Sequence, residues 1–132
     1  MLNSQASAAT MTSLIDAVSA ANTAAATSGS GKWLDVRPYD GEILVVQQIG
    51  ALGGTAPAIA GKLQSASDAN GAGAADITGA TFTSVSASNN TQTHALDPKK
   101  VTGGFLGYVG TITGTTPTVL VSVTAGGKKK IV

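Results

Sequence analysis

The sequence predicts an all-β fold, a small β-sandwich or jelly-roll-like β-barrel with an extended N-terminal arm, on three observations. Apolar runs recur at the even spacing of a sandwich and are separated by Gly, Pro, Asn and Asp. Polarity alternates along Thr81-Phe82-Thr83-Ser84-Val85 and Val119-Leu120-Val121-Ser122-Val123, as it does in strands with one buried face. An eight-residue motif also occurs twice, as Gly50-Ala51-Leu52-Gly53-Gly54-Thr55-Ala56-Pro57 and Gly110-Thr111-Ile112-Thr113-Gly114-Thr115-Thr116-Pro117. The two copies share Gly, Gly, Thr and Pro at the same offsets, with an aliphatic residue at the third, which marks an internal repeat.

Each copy of the motif lies between apolar runs. Ile43-Leu44-Val45-Val46 precedes the first and residues 59–63 follow it; residues 105–109 precede the second and residues 119–123 follow it. Gly supplies positive φ, Thr suits an extended flank, and Pro sits where no ladder donor is needed. The reading is strand, turn, strand: two β-hairpins from related positions of one fold.

Size and composition set the remaining bounds. At 132 residues the chain is one domain, long enough to bury roughly two-thirds of its unfolded surface. It has no cysteine, so disulfides, thiolate chemistry and cysteine-based zinc sites are excluded. A net charge of +1 with 11% charged residues gives no field to attract nucleic acid or an anionic membrane, and suits contact with other protein. No apolar run approaches the ~20 residues of a membrane span, and no Lys or Arg opens a signal peptide; the expectation is a soluble, unexported chain.

Taken in order, residues 1–31 read as a low-complexity N-terminal arm. Nineteen of them are Ala, Ser or Thr and the only charge is Asp16, so the segment cannot build a core of its own. Met11, Leu14, Ile15 and Val18 fall at helical spacing, yet a short strand over residues 13–19 fits as well; an extended arm with one short strand is the expectation. Ser28-Gly29-Ser30-Gly31 has linker chemistry. A β-sandwich domain over residues 32–125 opens at Trp33, with a short strand over 33–36 and a turn at Pro38-Tyr39-Asp40-Gly41. Strands are then predicted over 42–49, 58–67, 80–85, 91–96, 105–113 and 117–124, with loops at 68–76, 88–90 and 97–100. Residues 126–132 read as a basic C-terminal tail.

Motifs that would carry chemistry fail on their details. Asp68, Asn70, Gly73 and Asp76 occupy positions 1, 3, 6 and 9 of a calcium loop, but Ala72 stands at position 5 and Gly79 where a bidentate Glu is required. Gly31-Lys32 and Gly61-Lys62 lack the rest of a phosphate loop, and Gly71-Ala72-Gly73 continues to Asp76 where a dinucleotide motif needs Gly or Ala. His94 is the only histidine, so one chain cannot form a histidine metal cluster. Asp40 and Glu42 flank Gly41 with nothing nearby to separate their pKa values, and read as a solvated turn. Lys99-Lys100 and Lys128-Lys129-Lys130 lack an aromatic platform for nucleic acid, and Asn89-Asn90-Thr91 is a sequon without a signal peptide. No catalytic, cofactor-binding or metal residue is therefore assigned, and no cofactor, nucleic acid or membrane is expected.

One resemblance bears on function. An aliphatic strand, the first repeat, Gly61-Lys62-Leu63-Gln64-Ser65-Ala66-Ser67-Asp68, then residues 76–85, then Tyr108-Val109 and the second repeat form an ordered series. Over residues 41–124 this series resembles small virion proteins of tailed bacteriophages, most closely the head decoration, or cement, proteins. The resemblance implies a non-enzymatic structural protein, made in the host cytoplasm, that binds the outer surface of an assembled capsid through its major capsid protein, often as a homotrimer. In that family a basic residue tends to precede the Tyr-Val step, where Gly107 stands here. The competing expectation from the residues is a glycan-binding β-sandwich using Trp33 and Tyr39, or another phage tail or fibre protein.

Overall fold

The computed structural model describes residues 9–20, 24–26 and 33–128, and in them the chain is a curled, wholly antiparallel β-sheet that forms a half-barrel. Its strands are β1 (Ala9–Ala20), β2 (Ala24–Ala26), β3 (Leu34–Asp35), β4 (Ile43–Ala66), β5 (Ala75–Thr81), β6 (Asn90–Leu96) and β7 (Phe105–Lys128), with a 3-10 turn at Pro98–Lys100. The all-β expectation holds.

β4 and β7 are each 24 residues long and pair with one another from Leu44↔Gly126 to Ala66↔Phe105. This corrects the hairpin reading of the repeats. Both copies lie inside the long strands, facing each other about the Thr55↔Thr115 pair, and the chain runs on through them. Locally the glycine signal was right: Gly54 and Gly114 have φ of +97° and +124°, and Ala56 and Thr116 follow at +50° and +46°. These conformations make bulges, seen as register shifts on either side of Thr55, rather than reversals. Two similarly bulged segments each supply the hydrogen-bonding edge that the other needs, so neither has to turn back.

The ribbon is flanked on both sides at each end. Residues 43–49 of β4 pair with β6, and residues 119–128 of β7 with β1, giving a first four-stranded sheet in the order β1-β7-β4-β6. At the other end β7 pairs with β2 and β3, and β4 with β5. The repeat thus extends from motif to topology. Each long strand has one short strand beside its C-terminal half (β5 or β1) and another beside its N-terminal half (β6, or β2 and β3).

The short strand expected over residues 13–19 is present within β1, while its separateness from the domain is corrected. β1 is a strand of the sheet, not an appendage, and Leu14 is fully buried in the core, so the expected boundary at residue 31 does not separate arm from domain. Backbone pairing with β7 holds the segment, and its one described apolar anchor, Leu14, fixes which face is buried. Residues 126–128, expected to open the basic tail, belong to β7; residues 129–132, with residues 1–8, 21–23 and 27–32, lie outside the described residues.

Inward-facing positions alternate along the ribbon as Ile43, Val45, Gln47 and Ile49, then Ile59 and Leu63, and in β7 Leu106, Tyr108, Ile112, Val119, Val121 and Val123, and all are buried. Tyr108 crosses between the two ends of the ribbon and donates its phenol hydrogen to Gln47 Oε1. Burial pushes the Tyr108 phenol pKa up, so it stays a donor at physiological pH.

Candidate interaction surface

On the outer face of the first sheet, residues 44–48 of β4, 91–95 of β6 and 120–124 of β7 bring apolar and neutral polar groups together without Asp, Glu, Lys or Arg. On β4 the outward residues are Leu44, Val46 and Gln48; across the register β6 contributes Ala95, Thr93 and Thr91, and β7 contributes Thr124, Ser122 and Leu120. Leu44 and Leu120, 45% and 43% exposed, are the exposed large hydrophobic residues of the described chain, and both are here. Leu120 lies over Gly50, where a Cβ would come within 2.9 Å of its side chain. Pleating dictates this composition: alternate residues must point away from the core, and on these strands the sequence fills those positions with Leu, Val, Thr, Ser and Gln.

The ion pairs found among the described residues lie elsewhere. On the outside of the other end of the ribbon, Lys62 Nζ lies 2.9 Å from Asp76 Oδ2 while Gln64 Nε2 donates to Asp76 Oδ1 at 2.9 Å. Those hydrogen bonds, first from Gln64 and then from Lys62, hold the Asp76 carboxyl below its ordinary pKa. Arg37 forks onto Asp35 at 2.9 and 2.8 Å, depressing that carboxyl chiefly through the side-chain hydrogen bond, and stacks 5.1 Å from the Phe105 ring centroid.

The residues singled out from sequence are scattered. Asp68 Oδ1 accepts from the backbone N–H groups of Asn70 and Ala72, closing a turn, and Asp76 is engaged by Lys62 and Gln64, so the two carboxylates of the calcium-like spacing serve different local structures. Among the described residues no three His, Asp or Glu side chains converge as metal ligands would. His94 faces inward on β6, edge-on to Phe82 at 6.2 Å. Asp40 and Glu42 are exposed around a shallow depression that also holds Arg37, Asp97 and Lys99. Asp97 caps the 3-10 turn bearing Lys99 and Lys100.

The two rings proposed for glycan stacking do not form a platform. Tyr39 is 4% exposed and part of the core. Trp33 is half-buried, its six-membered ring over Gly107 and its pyrrole edge against Gly71. A Cβ at Gly107 would sit 2.2 Å from the Trp33 ring, which explains why a glycine and not a larger residue precedes Tyr108. Sequence reasoning missed the buried Gln47–Tyr108 pair and the outward Leu44 and Leu120. The signal for Gln47 was its parity with Ile43, Val45 and Ile49, and for the leucines the opposite parity.

Comparison of the sequence with protein-family models and with curated proteins returns no match.

Proposed function

We propose that the chain is a structural virion protein, a head decoration protein of a tailed bacteriophage, that binds the outer surface of the capsid and stabilises it by bridging capsomers. The observation that carries the reading is the outer face of β4, β6 and β7 around Leu44, Val46 and Leu120, where residues 44–48, 91–95 and 120–124 include no Asp, Glu, Lys or Arg. Such a face loses little on desolvation and gains from apolar contact, which suits a static protein partner; a transient, charge-steered one would need the opposite. The ordered motif series over residues 41–124 supports the capsid as that partner.

In this reading the protein is non-enzymatic and its ligand is the major capsid protein, contacted by a homo-oligomer, with a trimer as the expected form. Each copy straddles a boundary between capsomers. Separating them then requires breaking contacts on both sides, and the bound form is favoured by mass action as the decoration protein accumulates. Co-sedimentation of the purified protein with bare, expanded phage heads tests this: saturable binding is expected for the wild type, and at least tenfold weaker binding for Leu44→Glu/Leu120→Glu. Absence of wild-type binding, or full binding by the variant, contradicts it.

A further inference from the structure

Five strands form four borders of the sheet, and three of those borders carry a device that blunts strand addition. β1 has register shifts between Ser13 and Ile15 and between Ile15 and Val18. β5 has a shift opposite residues 62–64, the acidic Asp76 and a positive-φ Gly79. The border formed by β2 and β3 is broken into pieces of three and two residues. Even the ribbon's bare middle is protected, since Pro57 and Pro117 lack an N–H and lie beside bulges.

β6 has none of these. It keeps one uninterrupted register with β4 from Leu96↔Ile43 to Asn90↔Ile49 and contains no Pro, Gly, Asp, Glu, Lys or Arg. Among the described residues, its backbone makes no hydrogen bond to any segment but β4. The nearby 82–85 segment is tied to β6 from the inner side, where the Gln92 side chain bonds the N–H and C=O of Thr83. Along this seven-residue strand the backbone N–H and C=O groups of alternate residues, those not directed at β4, are left open at the rim of the face bearing Leu44 and Val46.

We infer that β6 is a docking edge for β6 of a second copy of this chain, paired antiparallel about a two-fold axis through Thr93. That register sets Thr93 against Thr93, Thr91 against Ala95, Gln92 against His94 and Asn90 against Leu96, so no like charges meet and every outward side chain is small. Asp97, just beyond the strand, falls opposite Asn89. The pairing is continuous with the first sheet of each copy, and the uncharged faces around Leu44 join across the axis into one surface. Because the contact is isologous it joins copies two at a time; it would link separate oligomers rather than close a trimer. The inference concerns the free protein and does not rest on the capsid reading.

The absence of cysteine allows a direct test. Thr93→Cys, Thr91→Cys and the double variant Thr91→Cys/Ala95→Cys place thiols on exposed, outward positions of β6. Under mild oxidation at high protein concentration, Thr93→Cys should form disulfide-linked dimer at least tenfold faster than Thr91→Cys. Paired Cα atoms at the axis lie within disulfide reach, whereas two copies of position 91 are offset by four residues, roughly 13 Å. The double variant should cross-link as readily as Thr93→Cys, because each 91 then faces a 95. Thr93→Cys cross-linking no faster than Thr91→Cys would overturn the inference, as would a double variant that stays monomeric while retaining the wild-type melting temperature.

Discussion

Gly54 of β4 and Gly114 of β7, one in each copy of the repeat, press against each other's strand. A Cβ on Gly54 would lie 2.5 Å from the Thr116 carbonyl oxygen, and one on Gly114 would lie 2.9 Å from that of Ala56. Both have positive φ, so each is a glycine for two reasons, conformation and cross-ribbon approach. Gly54→Val and Gly114→Val should therefore each destabilise the fold by about 2 kcal/mol or more, since left-handed strain alone costs ~1–3 kcal/mol for a side chain. Thermal melts check this, and an unchanged midpoint for either variant would show that the ribbon yields at its centre without cost.

Leu14 anchors β1 in the core with no exposed surface. Leu14→Ala should cost about 2–5 kcal/mol, the range for emptying a buried leucine site. Deleting residues 1–28 exposes the edge of β7 from Val119 to Lys128 and removes Leu14, so the truncated chain is expected to be unfolded or aggregated at ambient temperature. A truncated chain with the wild-type melting temperature would return this segment to the status of an accessory arm.

The strand content was legible because alternation and turn residues are local signals. Strand β6 and the turn carrying Lys99 and Lys100 fall within a residue or two of their sequence boundaries. The fate of the repeats was not legible. Gly54, Pro57, Gly114 and Pro117 signal a backbone that leaves the regular extended conformation, and only the presence of a matching bulge on the facing strand decides between turning back and running on. Residues 9–20 were misjudged for a related reason: their composition is too poor in apolar groups to fold alone, yet backbone pairing with β7 needs none, and Leu14 supplies the contact that fixes the face. The candidate surface needed the structure, because Leu44 and Leu120, at opposite ends of the patch, come to share one face only through the β4–β7 register.

Gly107 makes room for Trp33, so Gly107→Lys should displace the indole from β7. The expected result is a red-shifted, more quenchable fluorescence from the single tryptophan and a stability loss of roughly 1–3 kcal/mol for an overpacked site, read as a lower melting midpoint. Emission identical to wild type would place the tryptophan elsewhere.

Acid should weaken the fold modestly. Hydrogen bonds from Arg37 to Asp35, and from Gln64 and Lys62 to Asp76, depress both carboxyl groups below their ordinary value of 3.8. A depressed carboxylate contributes stability that is fully present above its unfolded pKa and is lost as pH falls through the folded one. Melting midpoints should hold from pH 7 to about 5 and drop below about 4, with a smaller drop in Asp35→Asn/Asp76→Asn. Both pairs are solvent-screened, so the difference should be small. A double variant as acid-sensitive as the wild type would assign the acid response to other groups.

Density from bare, expanded phage heads incubated with the purified protein tests the central claim most directly. The expected map has ordered copies at symmetry-related positions on the outer surface, each spanning a boundary between capsomers, with the face bearing Leu44, Val46 and Leu120 turned toward protein. Heads that remain bare at saturating protein, or copies bound with that face open to solvent and the Lys62–Asp76 side against the shell, would contradict it.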